Sequence, residues 1–465
     1  MKDNIAAEGF PTTCASNILA GTEIPFDATI VTQLKRRGVQ VMEKANMDEF
    51  GMGTHSTTSA WGPVRNAAPL QDYSAGGSSG GSAVAVAEGK ADLALGTDTG
   101  GSVRMPAAYT GTVGFKPSYG MLSRWGVVPY ANSLDTVGLL AKTVTPIRKA
   151  IVEDKLYLEH DPNDPTSLSA SARERCTAQR QFYDSVEKPS LQGLTFGIPT
   201  EYNIEELDGQ IREGWVRAAQ KLRDLGARVV PISLPTTKSA LSAYYVIAPA
   251  EASSNLAKYD GIRYGQRDTE GHNDSLDGIL YAKTRGDGFG SEVRRRILLG
   301  SYTLSSEAMN NYFVQAQKVR QLVRQDFDRA FRLPNPLRDE NAFDLSEMDE
   351  GVELEDKLGP AQVDFLLCPT APTPPPRLED VMQQTPLDAY MNDVFTVPAS
   401  LAGLPAISVP MDIPVDPAAE GQEKLLNFGG LQLIGQYWDD ARLLAVAEEV
   451  SGHVSQRTRR ELESV

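Results

Sequence analysis

Between Gly76 and Gly120 the chain carries 11 glycines in 45 residues, and no other feature restricts its folding as much. In a flexible linker such density comes with polar low complexity. Here the glycines alternate with Ala83-Val84-Ala85-Val86-Ala87, which reads as a buried helix, and with Leu93-Ala94-Leu95, which reads as a short buried strand. The glycines are therefore expected to allow close backbone packing and special turns inside a core.

The rest of the chain reads as α/β. Residues 191–199 (LQGLTFGIP) predict a strand. Ile211, Trp215, Ala218, Ala219 and Leu222 recur at helical spacing over 209–226, closed by Gly226, and 227–232 predict another strand. A long helix is expected over 307–332 and a buried strand over 362–369. Sheet is expected at Leu404–Val409 and Leu431–Ile434, and a last helix over 440–450. Two segments read as insertions and as solvated loops. Residues 157–188 are polar, and 338–357 hold nine acidic and two basic residues. No repeat or linker divides the 465 residues, a length that also accommodates one large α/β domain.

Composition excludes several classes. With 45 basic against 61 acidic residues the net charge is −16, which argues against a chain that grips phosphates over its own surface. No apolar run of about 18 residues predicts a membrane span. Cys14, Cys176 and Cys368 lie far apart, without disulfide framework or CxxC spacing. His55, His160, His272 and His453 lack HExxH spacing, so no metal site is expected.

Two motifs carry candidate chemistry: GGSSGGS over 76–82 and GTDTGGS over 96–102. A serine nucleophile needs a base, and no histidine lies in this window. A lysine serves if burial keeps it neutral, and Lys2 in MKDNI is a candidate. The glycines before Ser102 could turn backbone N–H groups toward a developing oxyanion. A packing turn remains open on spacing alone. A P-loop and a GxGxxG fingerprint are absent.

The stretch GGSSGGSAVAVAEGKADLALGTDTGGSVRMPAAYTGTVGFKPSYG resembles the amidase signature family, and KDNI resembles the segment that holds its catalytic lysine. SRWGVVPYANSLDTVG, EASSNLAKYDGIRYG, EVRRRILLGSYTLSS, CPTAPT, NDVFTVPASLAGLPAISVP and GGLQLIGQYWDD extend the likeness over most of the chain. They resemble the branch of A subunits in tRNA-dependent amidotransferases, in their fungal mitochondrial form. The resemblance implies a single large amidase-signature domain over 1–465, with a mixed central β-sheet flanked by helices on both faces. It implies a Ser–cis-Ser–Lys triad of Ser102 as nucleophile, Ser78 as bridge and Lys2 as base. Thr99, Gly100 and Gly101 would form the oxyanion hole. Ser79 and Ser82 are left with local hydrogen bonding or helix capping.

The same resemblance implies glutamine as substrate. Arg296 in EVRRRI would hold its α-carboxylate, Asp393 in YMNDVFT its ammonium, and Tyr244 in AYYVIA would form a wall. Ammonia would pass to a B subunit that uses ATP and Mg to activate glutamyl-tRNA(Gln), with a small third subunit in some lineages. No cofactor is expected in this chain. The matrix of mitochondria is the implied location, with bacterial cytoplasm the alternative. Family members carry several dozen residues before the lysine, so an upstream segment with a transit peptide is expected, and Lys2, following only Met1, is expected to sit on a fraying end. A stand-alone amidase on another small amide, and a non-catalytic scaffold, are the competing readings. A zwitterion pocket distinguishes the first, ammonia release from glutamine the second.

Overall fold

A computed structural model of the chain describes residues 1–180, 190–267, 280–338, 362–415 and 419–456. Eight strands form one sheet: β1 (Leu93–Asp98), β2 (Val113–Lys116), β3 (Thr136–Ala141), β4 (Thr195–Pro199), β5 (Arg228–Ile232), β6 (Phe365–Pro369), β7 (Ala406–Asp412) and β8 (Phe428–Ile434). Their order is β1-β3-β2-β7-β8-β6-β4-β5. Pairing is antiparallel from β1 to β6 and parallel at β6/β4 and β4/β5, so the sheet is mixed.

The expected strand–helix–strand unit is present: β4, the helix Gly209–Asp224, and β5 parallel to β4. Asp208 caps the helix, its carboxylate accepting from the amides of Gln210 and Ile211. Helices cover both sheet faces, and β8 shows this directly. A Cβ on Gly429 would meet Ile211 of the helix Gly209–Asp224, and one on Gly430 would meet Ala108 of the helix Arg104–Thr110. Adjacent strand residues point to opposite faces, so these helices lie on opposite sides.

Six of the eight strands and four of the helices stand where the sequence places them, with shifted boundaries; β2, β3 and the other helices are not anticipated. The strand expected over 191–199 begins only at Thr195, because Leu191–Leu194 closes a turn, with the Leu194 amide on Leu191 O at 3.2 Å. The long helix expected over 307–332 spans Phe313–Ala330. The helices Ala240–Leu256 and Ser291–Thr303 were not expected. The first is buried on most of its circumference, so it lacks the polar face that periodicity detects.

The reading of 157–188 as a solvated loop needs correction over its described part, 157–180. Arg173 is buried and donates to the carbonyls of Tyr157, Leu168, Gly120 and Met121. The Asp161 carboxylate accepts from Ser123 Oγ at 2.6 Å and Thr29 Oγ1 at 2.5 Å. Polar composition here reflects buried hydrogen bonding to neighbouring loops. The acidic run 339–357 lies outside the described residues.

Candidate active site

The segment Met1–Ile5 lies beside the sheet edge. The Lys2 amide donates to Leu95 O at 3.0 Å, and Ala45 exchanges backbone bonds with this stretch: Ala45 N to Met1 O at 2.7 Å, Asp3 N to Ala45 O at 3.1 Å. Asn4 Nδ2 reaches Thr97 Oγ1 at 3.1 Å. The fraying expected at Lys2 is therefore not observed, because pairing on two sides pins it.

Lys2 is wholly buried. Its Nζ is hydrogen-bonded to Ser78 Oγ at 2.7 Å and donates to Thr97 O at 3.2 Å. Burial lowers its pKa to about 7, against the opposing pull of Asp48, Asp98 and Asp135. The Gly77–Ser78 peptide is cis, and the Asp48 amide donates to Ser78 O at 3.2 Å. Ser79 and Ser82 turn away and donate to β1 carbonyls, Thr97 O at 3.2 Å and Leu95 O at 2.9 Å. Neither caps the helix Gly80–Ala87 that follows.

Ser102 closes the turn between β1 and the helix Arg104–Thr110. The Ser79 amide donates to Ser102 O at 3.1 Å, which brings the two serine segments side by side. The Ser102 side chain is half-buried and has no hydrogen-bond partner among the described residues. So Lys2 and Ser78 are in direct contact, whereas Ser102 joins them through backbone.

The intervening turn is held from both ends. Asp98 and Arg104, both fully buried, form a two-point ion pair at 2.9 and 2.8 Å. Arg104 also donates to Thr396 O, Gln432 Oε1 and Ser400 Oγ. Such a pair holds only because every guanidinium bond is used. Thr99 Oγ1 donates to Asp135 Oδ1 at 2.8 Å. Gly101 has φ +148°, and a Cβ there would lie 2.3 Å from Thr396 Oγ1. A Cβ on Gly100 would lie 2.7 Å from the Tyr244 hydroxyl. Glycine is required at both positions. The amide hydrogens of Gly100 and Gly101 find no acceptor among the described residues, and so are available to a ligand.

Beyond this turn lies a tyrosine-lined site. The helices Ala240–Leu256 and Ser291–Thr303 cross at contact distance, where a Cβ on Gly300 would meet Pro249 O at 1.9 Å. The crossing brings Tyr244 and Tyr245 to Arg296. The Arg296 guanidinium donates to Glu292 Oε1 and Tyr130 Oη, each at 2.7 Å, and faces the rings of Tyr130, Tyr245 and Tyr390 at 5.3–5.8 Å. Arg294 and Arg295 of the same run are exposed, so Arg296 alone of the three points inward. The Asp393 carboxylate accepts from Tyr245 Oη at 2.9 Å, and burial pushes its pKa up to about 7. Thr396 Oγ1 donates to Gly100 O at 2.6 Å and to Asp393 O at 3.2 Å, linking this carboxylate's backbone to the glycine turn.

The structure thus assembles two clusters from the residues singled out in sequence: Lys2, Ser78 and Ser102 with the Thr99–Gly101 turn, and Tyr244, Arg296 and Asp393 beside it. Sequence reasoning missed Tyr130, Tyr245, Glu292, Tyr390 and Thr396. The i,i+4 spacing of Glu292 and Arg296 could have flagged the glutamate. Tyr130 and Tyr390 carry no local signal.

The chain is 64% identical over 461 residues to the A subunit of the mitochondrial glutamyl-tRNA(Gln) amidotransferase of Podospora anserina, covering 98% of this chain and 89% of that protein. It is 54% identical over 454 residues to the protein of that name from Emericella nidulans, covering 96% and 87%. Among solved structures, the A subunit of the glutamyl-tRNA(Gln) amidotransferase of Thermotoga maritima superposes with a TM-score of 0.71 at 36% identity, covering 97% of this chain and 82% of that one. A 6-aminohexanoate cyclic dimer hydrolase shares the fold, with a TM-score of 0.73 at 22% identity over 98% and 85% of the two chains. The family described as Amidase matches residues 1–444, and the chain belongs to that family.

Proposed function

We propose that this chain is the glutamine-hydrolysing subunit of a mitochondrial glutamyl-tRNA(Gln) amidotransferase. The observation that carries the reading is the buried contact of Lys2 with Ser78, beside the Gly100–Gly101 turn, with a site beyond that turn holding the inward cation Arg296, its partner Glu292 and the Asp393 carboxylate. A neutral lysine takes the Ser78 proton as Ser78 takes that of Ser102. Ser102 Oγ then attacks the side-chain amide carbon of glutamine. The amides of Thr99, Gly100 and Gly101 receive the developing oxyanion. The proton returns along the same path to the leaving nitrogen, ammonia departs, and water releases glutamate from the acyl-serine by the reverse relay. Arg296 takes the α-carboxylate, Asp393 the α-ammonium, and Tyr244 walls the site beside Gly100. A stand-alone hydrolase of uncharged amides has no use for that pair of charges.

The relatives are by name one component of a multi-subunit enzyme. Ammonia from this site would serve a B subunit that activates glutamyl-tRNA(Gln) with ATP and Mg, with a small third subunit completing the assembly. The mitochondrial matrix is the expected location, as the names of the fungal relatives place them in mitochondria. No helix among the described residues is long and apolar enough to cross a membrane.

The test is ammonia and γ-glutamyl hydroxamate formation from glutamine by the full chain co-expressed with its partner subunits. Activity in wild type and its loss in Ser102→Ala are expected. Equal rates in both would remove the proposal.

A further inference from the structure

One buried histidine stands between the two clusters. His55 is 2% exposed, and its ring stacks on Tyr109 at a centroid distance of 6.1 Å. Nδ1 lies 2.8 Å from Ser74 Oγ, and Nε2 lies 3.1 Å from Asn392 Nδ2. Asn392 Nδ2 also donates to Ala389 O at 3.2 Å, and its Oδ1 accepts from Tyr109 Oη at 3.4 Å, which orients the amide. The nitrogen facing His55 is therefore a donor, so Nε2 accepts. The neutral ring then carries its proton on Nδ1 and donates to Ser74 Oγ. A second ring proton would meet the Asn392 NH₂ head-on. Burial also lowers the pKa of this imidazole to about 4.

Each partner leads into the site. Ser74 Oγ accepts the Gly76 amide at 3.0 Å, two residues before Ser78. Asn392 immediately precedes Asp393. The neighbouring residues reinforce the bridge: Ser56 Oγ donates to Gly76 O at 2.8 Å, and Thr54 Oγ1 donates to Ala389 O at 3.2 Å. We propose that His55 is a positioning residue that, as its Nδ1–H tautomer, couples the serine loop through Ser74 to the Asp393 carboxylate through Asn392. The inference rests on the glutaminase reading above.

The two ends can be cut separately. In His55→Asn the side-chain amide nitrogen lies near the former Nδ1 and donates to Ser74, but nothing reaches Asn392. In His55→Gln the amide oxygen reaches Asn392, and Ser74 loses its donor. The expected result with the full chain in its complex is a split. H55N raises the glutamine KM by roughly five- to tenfold with the smaller effect on kcat, and H55Q lowers kcat by a similar factor with the smaller effect on KM, the worth of one neutral hydrogen bond each. Nitrogen NMR of the wild type with labelled histidine should show the His55 proton on Nδ1, a reading that needs no variant to fold. Parallel losses in both variants, unchanged kinetics with lowered unfolding midpoints, or a proton on Nε2 would each overturn the coupling while leaving the glutaminase reading intact. A wild type that releases no ammonia from glutamine would overturn both.

Discussion

Replacing Gly101 by alanine tests how far the chemistry depends on the turn beside Ser102. An added Cβ would lie 2.3 Å from Thr396 Oγ1 and 2.8 Å from Thr396 Cβ. Nonbonded atoms rest at about 3.5 Å, so the turn must withdraw by about 1 Å. Thr396 cannot yield easily, because its hydroxyl is tied to Gly100 O and Asp393 O. The φ of +148° adds about 1–3 kcal/mol of backbone cost for any side chain. A displacement of about 1 Å in a reacting geometry costs on the order of 10²-fold, and loss of one oxyanion donor about 10²–10³-fold. The expected fall in kcat/KM for glutamine is therefore about 10²–10³-fold, measured as ammonia release, with folding checked by urea unfolding. Thr396→Ala removes the tightest contact, so the double variant should lose less than the product of the two single losses. A G101A enzyme within about threefold of wild type, or strictly multiplicative losses, would refute the reasoning.

Four further outcomes follow from the geometry. Arg296→Ala should raise the glutamine KM by about 10–100-fold, the worth of a charge-assisted bond, while sparing hydrolysis of a small uncharged amide; equal losses on both substrates would count against the carboxylate assignment. Lys2 has a folded pKa of about 7, far below its usual value, so the neutral base is lost as pH falls through 7. The pH profile of kcat/KM should show an acid limb near 7, to which Asp393, also near 7, contributes by losing its charge; in Asp393→Asn the limb persists through Lys2 alone. Between about pH 7 and 10 the unfolded chain binds the Lys2 proton and the folded chain does not, so this group makes stability fall as pH drops from about 10 towards 7 and rise with pH over that window. Lys2→Met should flatten that slope in urea titrations. Arg104→Met leaves Asp98 buried without its partner and should cost about 3–5 kcal/mol of stability, part of it recovered when Asp98→Asn is added; a double variant less stable than R104M would contradict this.

Local sequence determined a good deal here. The density of glycine between Gly76 and Gly120, with its small apolar partners, specified a packed core segment, and the periods of 3.6 and 2 located six of the eight strands and four of the helices near their true places. Those are short-range effects, written in the chain within a few residues. Lys2, Ser78, Ser102, Arg296 and Asp393 could be singled out from motif likeness, and nothing in their spacing required Nζ of residue 2 to meet Oγ of residue 78. That contact exists because Met1–Ile5 pairs beside β1 while the serine loop folds over the same edge. The packing of Tyr130, Tyr245 and Tyr390 around Arg296 and the His55 bridge were decided only by tertiary structure. They depend on helices crossing at Gly300 and Pro249 and, for His55 and Asn392, on segments 337 residues apart. Burial, which sets the protonation of Lys2 and Asp393, is likewise a property of the packed whole, because no stretch of sequence can exclude water from itself.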